Sequence, residues 1–387
     1  MSGKTNLLLS TDIGTDIDDA VALYLTMNSD VIDLKGVYVT NGPVVPRAKI
    51  AKHMLNLGGY EAPVMVGEAK ALFTRLEQYT TGTERCVAPK RKKLKIVREW
   101  FSTMVRQLEE LQDVVVASIA PLTNIAKLLE KRPDAAAKIK TLYIMGGREG
   151  DAEHNFSHDS LAADTVLNSD LDIVIVSGDV CSQYRLEADF LLNLDGSKAQ
   201  RYLAHMASLW KLYYDNSRVL KRPLLELLNE KMKDDLLGKG EEERYRILET
   251  FDSLIMHMGM LCNAINFGDA PNEQLHIYGN VMGWAGRNQN LSYARFLLDY
   301  VKVMGLDKFS VSDAFVIYAI EHPEKVKEKR VTALCDDNGV MTLGEGERHR
   351  LVVDVDYKHF ANYLKRRLEQ KPRFSKEAKG GKAKVRV

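Results

Sequence analysis

Short apolar runs alternate with amphipathic stretches along the first half of the chain, a pattern typical of strands followed by helices. Buried strands are predicted at residues 7–9, 31–39, 64–66, 114–117, 141–145 and 173–176. Helices are predicted between them, at residues 18–27, 46–57, 96–111, 121–131 and 159–168. Because this alternation builds parallel sheets covered on both faces, we predict an α/β fold with an open, mostly parallel, Rossmann-like sheet. Such sheets bind ligands at the carboxyl ends of their strands.

Two stretches depart from this alternation. Residues 70–95 are polar and include a basic run, KRKKLK, which predicts a mobile loop. Residues 185–265 carry long helical patterns rich in Leu, Lys and Glu, and residues 266–290 are rich in Gly and Asn, which predicts a loop. We therefore expect one domain over residues 1–370, with a helical and loop insertion at about 185–292.

The carboxyl-terminal part returns to regular patterns. Helical periodicity is found at residues 293–304 and 311–321. Two short β-like runs within residues 330–356 lie on either side of an Asp-Asn-Gly sequence at 337–339, which favours a hairpin. Residues 371–387 contain seven Lys or Arg and no core pattern, so we predict a basic, disordered tail.

Composition and charge restrict the partners and the compartment. The 387 residues are 45% apolar, enough for a large core. Lys plus Arg number 54 against 53 for Asp plus Glu, so net charge gives no reason to expect nucleic acid or a membrane as a partner. The four cysteines form no CxxC pair, and the first apolar run is too short for a signal peptide. We expect a reduced, cytoplasmic protein without a zinc site.

An acidic motif, STDIGTDIDDA at residues 10–20, joins a predicted strand to a predicted helix. It carries four aspartates, Asp12, Asp16, Asp18 and Asp19. One or two aspartates at a helix start would be ordinary capping. Four like charges at a strand end repel one another unless a cation binds among them, and carboxylate oxygens are the ligands that Ca²⁺ and Mg²⁺ prefer. The motif therefore favours a divalent metal site over capping alone.

Three further polar motifs lie at the same predicted edge of the sheet. They are Pro-Leu-Thr-Asn after the strand at 114–117, Met-Gly-Gly with a polar loop after the strand at 141–145, and Ser-Asp before the helix at 311–321. Each alone also fits ordinary capping or a polar loop. The polar residues concerned are Thr123, Asn124, Glu153, Asn155, Asp159, Ser312 and Asp313.

In order and spacing, these motifs resemble those of the inosine–uridine nucleoside hydrolases. That family has DxDxGxDDAxA near the amino terminus, then GPLTN, MGG with an ExN loop, and a late HD. Here they read STDIGTDIDDA, APLTN, MGG with Glu153-His154-Asn155, and Ser312-Asp313, and Asn41 falls where the family has its ribose-loop asparagine. The resemblance implies one large open α/β domain that hydrolyses the N-glycosidic bond of a small-molecule ribonucleoside. It also implies a homodimer or homotetramer.

The resemblance further assigns roles to residues. It implies a Ca²⁺ held by Asp12, Asp19, Asp313 and the backbone carbonyl of Ile119. Asp12 would act as general base towards a water molecule, with Asn155 and Asp313 as the other catalytic residues. The residues that would bind the ribose are Asp18, Asn41, Met145, Glu153 and Asn155. A site that pairs with ribose hydroxyls should reject 2′-deoxynucleosides.

The chain also departs from the family pattern. Ser10 replaces an aspartate, and Asp16 lies in a two-residue insertion without an assigned role. Ser312 replaces the histidine that many members use near the leaving base, and a serine does not supply a proton near neutral pH as an imidazole does. Residues that would compensate by stacking or by proton donation, although core packing is their commoner use, are Trp210, Tyr213, Tyr214, Trp284, Tyr300, His257 and His276.

Three other functions fit parts of the sequence. A hydrolase specific for a modified or deazapurine riboside is favoured by Ser312 and by the insertion. A non-catalytic nucleoside-binding protein is disfavoured, because such a protein has no need to keep Asp12 as a base. A DxD-type phosphatase does not predict the PLTN and MGG–ExN motifs.

Overall fold

The computed structural model describes residues 4–72, 83–89, 94–219, 222–266 and 271–372. Its strands are β1 (Thr5–Thr11), β2 (Ile32–Val39), β3 (Val64–Val66), β4 (Val114–Ser118), β5 (Ile139–Met145), β6 (Ile173–Val176), β7 (Leu186–Glu187), β8 (Lys308–Phe309), β9 (Val326–Cys335) and β10 (Met341–Val355). Its helices are α1 (Asp18–Met27), α2 (Val44–Leu57), α3 (Thr83–Val87), α4 (Trp100–Glu110), α5 (Thr123–Lys131), α6 (Pro133–Ala136), α7 (His154–His158), α8 (Ser160–Leu167), α9 (Gly178–Cys181), α10 (Ala188–Leu192), α11 (Lys198–Val219), α12 (Arg222–Leu236), α13 (Glu241–Asn266), α14 (Pro271–Arg287), α15 (Ser292–Met304), α16 (Ser312–Glu321) and α17 (Tyr357–Glu369).

Eight strands form one sheet in the order β3-β2-β1-β4-β5-β6-β10-β9. Its neighbouring strands are parallel, except that β9 is antiparallel to β10. The predicted open, mostly parallel α/β fold is confirmed. The strand order reverses between β1 and β4, and a sheet of this type leaves its ligand crevice beyond the carboxyl ends of the strands at that point.

Helices cover both faces of the sheet, because successive side chains of a strand point to opposite sides. In β1, Leu7 and Leu9 belong to the core beneath α1, α2, α16 and α17, whereas Leu8 belongs to the core beneath α4, α5 and α8. The strands between two helical layers, such as β4 and β6, therefore bury apolar side chains on both faces, as their sequences predicted.

A third core lies mainly within the predicted insertion and extends beyond it into α15. It joins α12, α13, α14 and α15 through Leu228, Phe251, Val281 and Leu297, among others. Helix α11, in contrast, contributes Leu203 and Ala207 to the core under α1 and α2. The region that follows residue 185 is thus anchored to the α/β core by its first long helix.

The predicted loop at 266–290 is wrong for most of its length. The chain forms α14 from Pro271 to Arg287, and residues 267–270 lie outside the described part. Gly and Asn are weak helix formers, but burial of Val281 and Ala285 in the third core outweighs that local preference. The local composition therefore misled the prediction.

Other boundaries also differ from the predictions. Within the predicted mobile loop at 70–95, residues 83–87 form α3, while residues 73–82 and 90–93 lie outside the described part. The hairpin is confirmed, but its strands are long rather than short, and β10 pairs with β9 along one edge and with β6 along the other. The predicted tail falls outside the described residues from 373 onward. No helix of the described chain has the length and apolar character needed to cross a membrane.

Candidate active site

A cavity of about 230 Å³ opens at the carboxyl edge of the sheet, next to the point where the strand order reverses. It lies beyond the ends of β1, β4 and β5 and beside the first turns of α1 and α16. Its lining consists of Asp12, Thr15, Asp16, Asp18, Asp19, Ile119, Met145, Glu153, His154, Asn155, Ser310, Ser312 and Asp313. The structure therefore brings together the predicted site residues from four distant motifs, with the exception of Asn41.

Carboxylates dominate one side of this pocket. The carboxylate oxygens of Asp16, Asp18 and Asp19 all lie within 4.8 Å of one another, a group that could hold a metal ion. Asp12 and Asp313 line the same cavity. Asp16, which had no role in the sequence analysis, thus belongs to the acidic cluster.

Burial and mutual repulsion make this cluster unfavourable when it is fully ionised. Desolvation by burial, and then the charges of Asp16 and Asp313, raise the pKa of Asp18 well above its ordinary value. Desolvation and the charges of Asp12 and Asp16 raise the pKa of Asp19 in the same way. Desolvation, followed by the neighbouring aspartates, also raises the pKa of Asp313. A bound cation would offset this repulsion, so the donor set fits a divalent metal with oxygen ligands.

Hydrogen bonds connect the end of β1 with the start of α1. The Thr11 hydroxyl donates to Oδ1 of Asp19, and the backbone N–H of Asp12 donates to the same oxygen at 3.2 Å. The Ile13 N–H donates to the Thr11 hydroxyl at 3.2 Å. The acidic loop between β1 and α1 is therefore closed on itself, and it keeps Asp12 and Asp19 adjacent.

Asn41 lies behind Asp12. It follows β2 with a φ of 65°, and its side-chain amide donates to Oδ2 of Asp12 at 3.0 Å. It is not among the residues that line the cavity. Ile119, by contrast, does line it, and its N–H donates to the Ser10 carbonyl at 2.9 Å, which extends the pairing of β4 with β1.

Another part of the lining is formed by the turn after β5 and by the start of α7. Glu153 caps α7, and its carboxylate accepts hydrogen bonds from the backbone N–H groups of Gly147 and Asn155 at 3.0 Å. The Asn155 side-chain amide donates to the Met145 carbonyl at 3.1 Å. Gly147 has a φ of 75°, a conformation that favours glycine. These bonds fix three predicted substrate-binding residues, Met145, Glu153 and Asn155, in one rigid turn.

Other residues of the predicted motifs stabilise the fold and do not line the pocket. Asp159 is fully buried, caps α8, and accepts hydrogen bonds from the Leu72 N–H at 2.8 Å and from the Thr123 hydroxyl. Asn124 accepts from the Glu68 N–H at 3.0 Å. Asp159, which was predicted at the same edge of the sheet as Glu153 and Asn155, therefore does not line the cavity with them.

The rim of the pocket carries Ser310, Ser312 and His154. The hydroxyls of Ser310 and Ser312 lie 2.9 Å apart and share a hydrogen bond. The ring of His154 lies against that of His158, with centroids 4.0 Å apart. His154 is the histidine of the described residues that lines this cavity, and the sequence analysis had not selected it.

The residues suggested as substitutes for the missing histidine lie elsewhere. Nδ1 of His257 is 2.6 Å from the Ser253 carbonyl within α13, and His276 is exposed on α14. The suggested aromatic residues do not line the cavity either. Trp210 and Tyr214 pack against the core under α1 and α2, Trp210 also stacks on Tyr213, and Trp284 and Tyr300 pack against the third core.

Two buried charged residues support the acidic loop from behind, and no local pattern had indicated them. The Arg47 and Glu84 side chains are 1% and 0% exposed, and Nη2 of Arg47 lies 3.4 Å from Oε1 of Glu84. Arg47 donates to the backbone carbonyls of Asp12 and Ile13. The support that they give to the acidic loop depends on contacts between α2, α3 and the loop, which are distant in sequence.

Together, the fold and the pocket define an α/β protein that receives a small ligand at the carboxyl edge of a parallel sheet, over a cluster of carboxylates. The sequence matches the model of the inosine-uridine preferring nucleoside hydrolases over residues 7–233. The chain belongs to this family. The resemblance inferred from the motifs is confirmed, and with it the class of N-ribosyl nucleoside hydrolases.

Individual relatives agree with this assignment. The non-specific ribonucleoside hydrolase RihC of Salmonella newport is 29% identical over 231 residues, which cover 56% of this chain and 74% of that protein. The purine-preferring ribonucleoside hydrolase from Gardnerella vaginalis has a similar fold, with a TM-score of 0.62 at 17% identity, over 94% of this chain and 98% of that one. The type III effector XopQ, solved with adenosine diphosphate ribose, gives a TM-score of 0.58 at 14% identity, over 95% and 94% of the two chains.

Proposed function

We propose that this protein hydrolyses the N-glycosidic bond of a ribonucleoside to the free base and ribose, with Ca²⁺ as its cofactor and Asp12 as general base. One observation carries the proposal. Asp12 lines the same cavity as the Asp16, Asp18 and Asp19 cluster and as Glu153 and Asn155.

The metal ligands follow from the chemistry of the donors. Asp12, Asp19, Asp313 and the carbonyl of Ile119 would hold the ion, with Asp16 as a further carboxylate of the cluster. Calcium accepts six to eight oxygen ligands in flexible geometry, which suits a loop rich in aspartates. When bound, the ion supplies a fixed positive charge that orients the ribose and makes a water molecule more acidic.

Different residues of the chain would then carry out proton transfer, ribose binding and charge stabilisation. Asp12 takes the proton of the attacking water, and its bond from Asn41 orients the carboxylate for this step. Asp18, Glu153 and Asn155 bind the ribose hydroxyls, and Met145 packs under the sugar. The transition state resembles an oxocarbenium ion, so the acidic wall stabilises the positive charge that develops on the ring.

The leaving base needs a proton or a hydrogen bond as the bond to ribose breaks. Ser312 stands at the position where many family members have a histidine, and its hydroxyl is bonded to Ser310. His154 lines the same cavity, and an imidazole supplies a proton near neutral pH. We therefore assign the leaving-group role to His154.

Two alternatives have specific support. The serine pair at the rim favours a hydrolase whose base is a modified or deazapurine, because that part of the pocket differs most from the family pattern. The second alternative is a non-catalytic nucleoside-binding protein, and the similarity in fold to an effector solved with adenosine diphosphate ribose favours binding of a nucleoside-derived riboside. The described acidic cluster and Asp12 weigh against the second alternative.

The remaining properties are proposed with the same function. The protein would act on a small-molecule ribonucleoside in the cytoplasm, in nucleoside metabolism and base salvage. It would form a homodimer or homotetramer and would not bind nucleic acid or a membrane. Residues 1–370 would form a single domain with the region at about 185–292 inserted in it.

A panel of ribosides tests the proposal. Purine, pyrimidine and 7-deazapurine ribosides are incubated with the protein and Ca²⁺, and free base and ribose are measured. We expect release from at least one riboside, with Asp12→Asn slowing it by about 10³-fold. The control is Asp134→Asn, on an exposed aspartate paired with Arg132. Release from no riboside by a protein that binds Ca²⁺ would sink the hydrolase proposal in favour of the binding protein.

A further inference from the structure

Arg47 contacts the backbone on both sides of the proposed base. Its side chain is fully buried at the start of α2, and its Nε donates to the Asn41 carbonyl at 2.9 Å. Its Nη1 donates to the carbonyls of Asp12 and, at 3.2 Å, Ile13. Because a guanidinium presents five donors in a rigid plane, one side chain fixes the ends of β1 and β2 relative to each other.

Glu84 holds the second half of the acidic loop, as Arg47 holds the first. It lies on α3, accepts a hydrogen bond from the Thr15 hydroxyl, and forms the buried ion pair with Arg47. The neighbouring Thr83 hydroxyl donates to the Gly14 carbonyl at 3.0 Å. The loop of residues 12–16 is thus held at its start by Arg47 and at its end by α3.

The loop passes very close to these supports. Gly14 has a φ of 117°, and a Cβ added there would lie 2.6 Å from Cδ1 of Ile50 and 3.4 Å from Cγ of Glu84. Only glycine combines this backbone conformation with such a close approach. The path of the loop is therefore defined by α2 and α3.

Helix α3 is in turn held by the region after residue 185. The Tyr202 hydroxyl of α11 donates to the Val87 carbonyl at 2.9 Å, and the Tyr202 ring meets that of His53 edge-on, with centroids 4.8 Å apart. Contacts therefore lead from α11 through α3 to the acidic loop. This gives the first long helix of that region a connection to the site.

We propose that Arg47 and Glu84 are positioning residues that hold residues 12–16 in the arrangement in which Asp12 and Asp16 face the pocket. A buried ion pair contributes little net stability compared with apolar residues of similar size, so stability alone does not account for this pair. The hydrogen bonds that the pair makes to the acidic loop explain why both charged residues are present. The consequence for catalysis rests on the proposed function, whereas the consequence for the loop does not.

The test compares this pair with a second buried Arg–Glu pair of the same chain. Nη2 of Arg367 lies 3.3 Å from Oε2 of Glu321, with side chains 8% and 1% exposed, and neither residue lines the pocket. Arg47→Lys keeps the positive charge but loses the planar set of guanidinium donors, and Glu84→Gln keeps the shape of the side chain but loses its charge. The matched controls are Arg367→Lys and Glu321→Gln. Thr83→Val, which removes the neutral hydroxyl that donates to the Gly14 carbonyl and, at 3.3 Å, to the Thr15 carbonyl, is a milder variant that serves if Arg47→Lys does not fold.

Two readouts separate the possible results. Amide hydrogen exchange in residues 10–18 is measured at a temperature at which all variants are folded, and kcat and KM are measured per folded molecule. We expect Arg47→Lys and Glu84→Gln to exchange this loop about tenfold faster, and kcat to fall by about 100-fold with a smaller change in KM. The Arg367→Lys and Glu321→Gln controls should lower the melting temperature but change neither the exchange of residues 10–18 nor kcat.

The outcomes also distinguish this proposal from the proposed function. If the wild type hydrolyses no riboside, the proposed function fails, and exchange of the loop alone decides the role of the pair. If exchange and kcat of the Arg47 and Glu84 variants match those of the controls, the pair only stabilises the fold, and the inference is overturned. If the acidic loop of the Arg47 and Glu84 variants exchanges faster but kcat is unchanged, the proposed effect of the pair on catalysis is overturned.

Discussion

The side-chain amide of Asn41 donates a 3.0 Å hydrogen bond to Oδ2 of Asp12. This bond leaves Asn41 outside the cavity lining, although the family resemblance implied contact with ribose. A hydrogen bond to a carboxylate contributes about 1.5–3 kcal/mol, enough to select one orientation of the side chain. We therefore expect Asn41 to affect the proposed reaction through Asp12.

The first prediction concerns this bond. Asn41→Ala should lower kcat by about 10- to 100-fold and leave KM within a few-fold, because the base loses its orientation while the ribose contacts remain. Steady-state kinetics with the best riboside of the panel measure both constants. Asn193→Ala, on an exposed Asn directly after α10 whose side-chain amide donates to the Asp189 carbonyl, is the control. A rise in KM with unchanged kcat would instead indicate direct contact with ribose.

The parts of the fold that could be predicted were those determined by local pattern. Buried parallel strands such as β4 and β6 are continuous apolar runs, so their positions were recognisable. Helix α14 was missed because packing of Val281 and Ala285 in the third core outweighs the local Gly and Asn composition. The length of β10 was missed because its central residues, GEGERHR, are polar.

The same distinction applies to the site. The four aspartates and the later motifs could be found because each follows a strand or begins a helix, and parallel strands end at one edge. Arg47 and Glu84 could not be found, since only the folded chain brings α2 and α3 together behind the acidic loop. His154 was overlooked between Glu153 and Asn155, where the ExN motif leaves its middle position open.

A second prediction concerns Asp16. Its carboxylate lies with those of Asp18 and Asp19 within 4.8 Å, so we expect it to strengthen cation binding through its charge. Asp16→Asn should weaken Ca²⁺ binding by about tenfold, as removal of a supporting group in a metal site commonly does. Calorimetric titration of the metal-free protein gives the affinity. Asp113→Asn, on an exposed aspartate, should bind Ca²⁺ like the wild type, and equal affinity of both variants would remove Asp16 from the site.

A third prediction follows from the raised pKa values of Asp18, Asp19 and Asp313. In the folded, metal-free chain these groups therefore lose their protons at higher pH than in the unfolded chain, where an aspartate titrates at about 4. The folded state therefore binds more protons than the unfolded state, and this contribution to stability is lost as the pH rises through the raised pKa values. Calcium replaces the protons, so it should stabilise the protein more at pH 8 than at pH 5.

The measurement is the shift in melting temperature between protein with chelator and protein with excess Ca²⁺, at both pH values. At a free Ca²⁺ concentration of 100 times Kd, the stabilisation should reach about 2.7 kcal/mol at the higher pH. Mg²⁺ at the same concentration shows whether the effect is specific to calcium. A shift that is larger at pH 5 would contradict the assignment of Asp19 and Asp313 as metal ligands.

The last prediction concerns the leaving base and His154. If His154 supplies a proton or a hydrogen bond to the base, His154→Ala should lower kcat for a natural ribonucleoside by about 100-fold. The same variant should hydrolyse 4-nitrophenyl riboside within a few-fold of the wild type, because nitrophenolate departs without protonation. His276→Ala, on an exposed residue of α14, is the control for loss of a histidine. Because Asp12 and the acidic cluster act on both substrates, Asp12→Asn should slow both equally. If His154→Ala lowers kcat equally on both substrates, this residue acts on the ribose and not on the leaving base. If it lowers kcat on neither substrate, the base departs without help from His154, and Ser310 and Ser312 are the next residues to change.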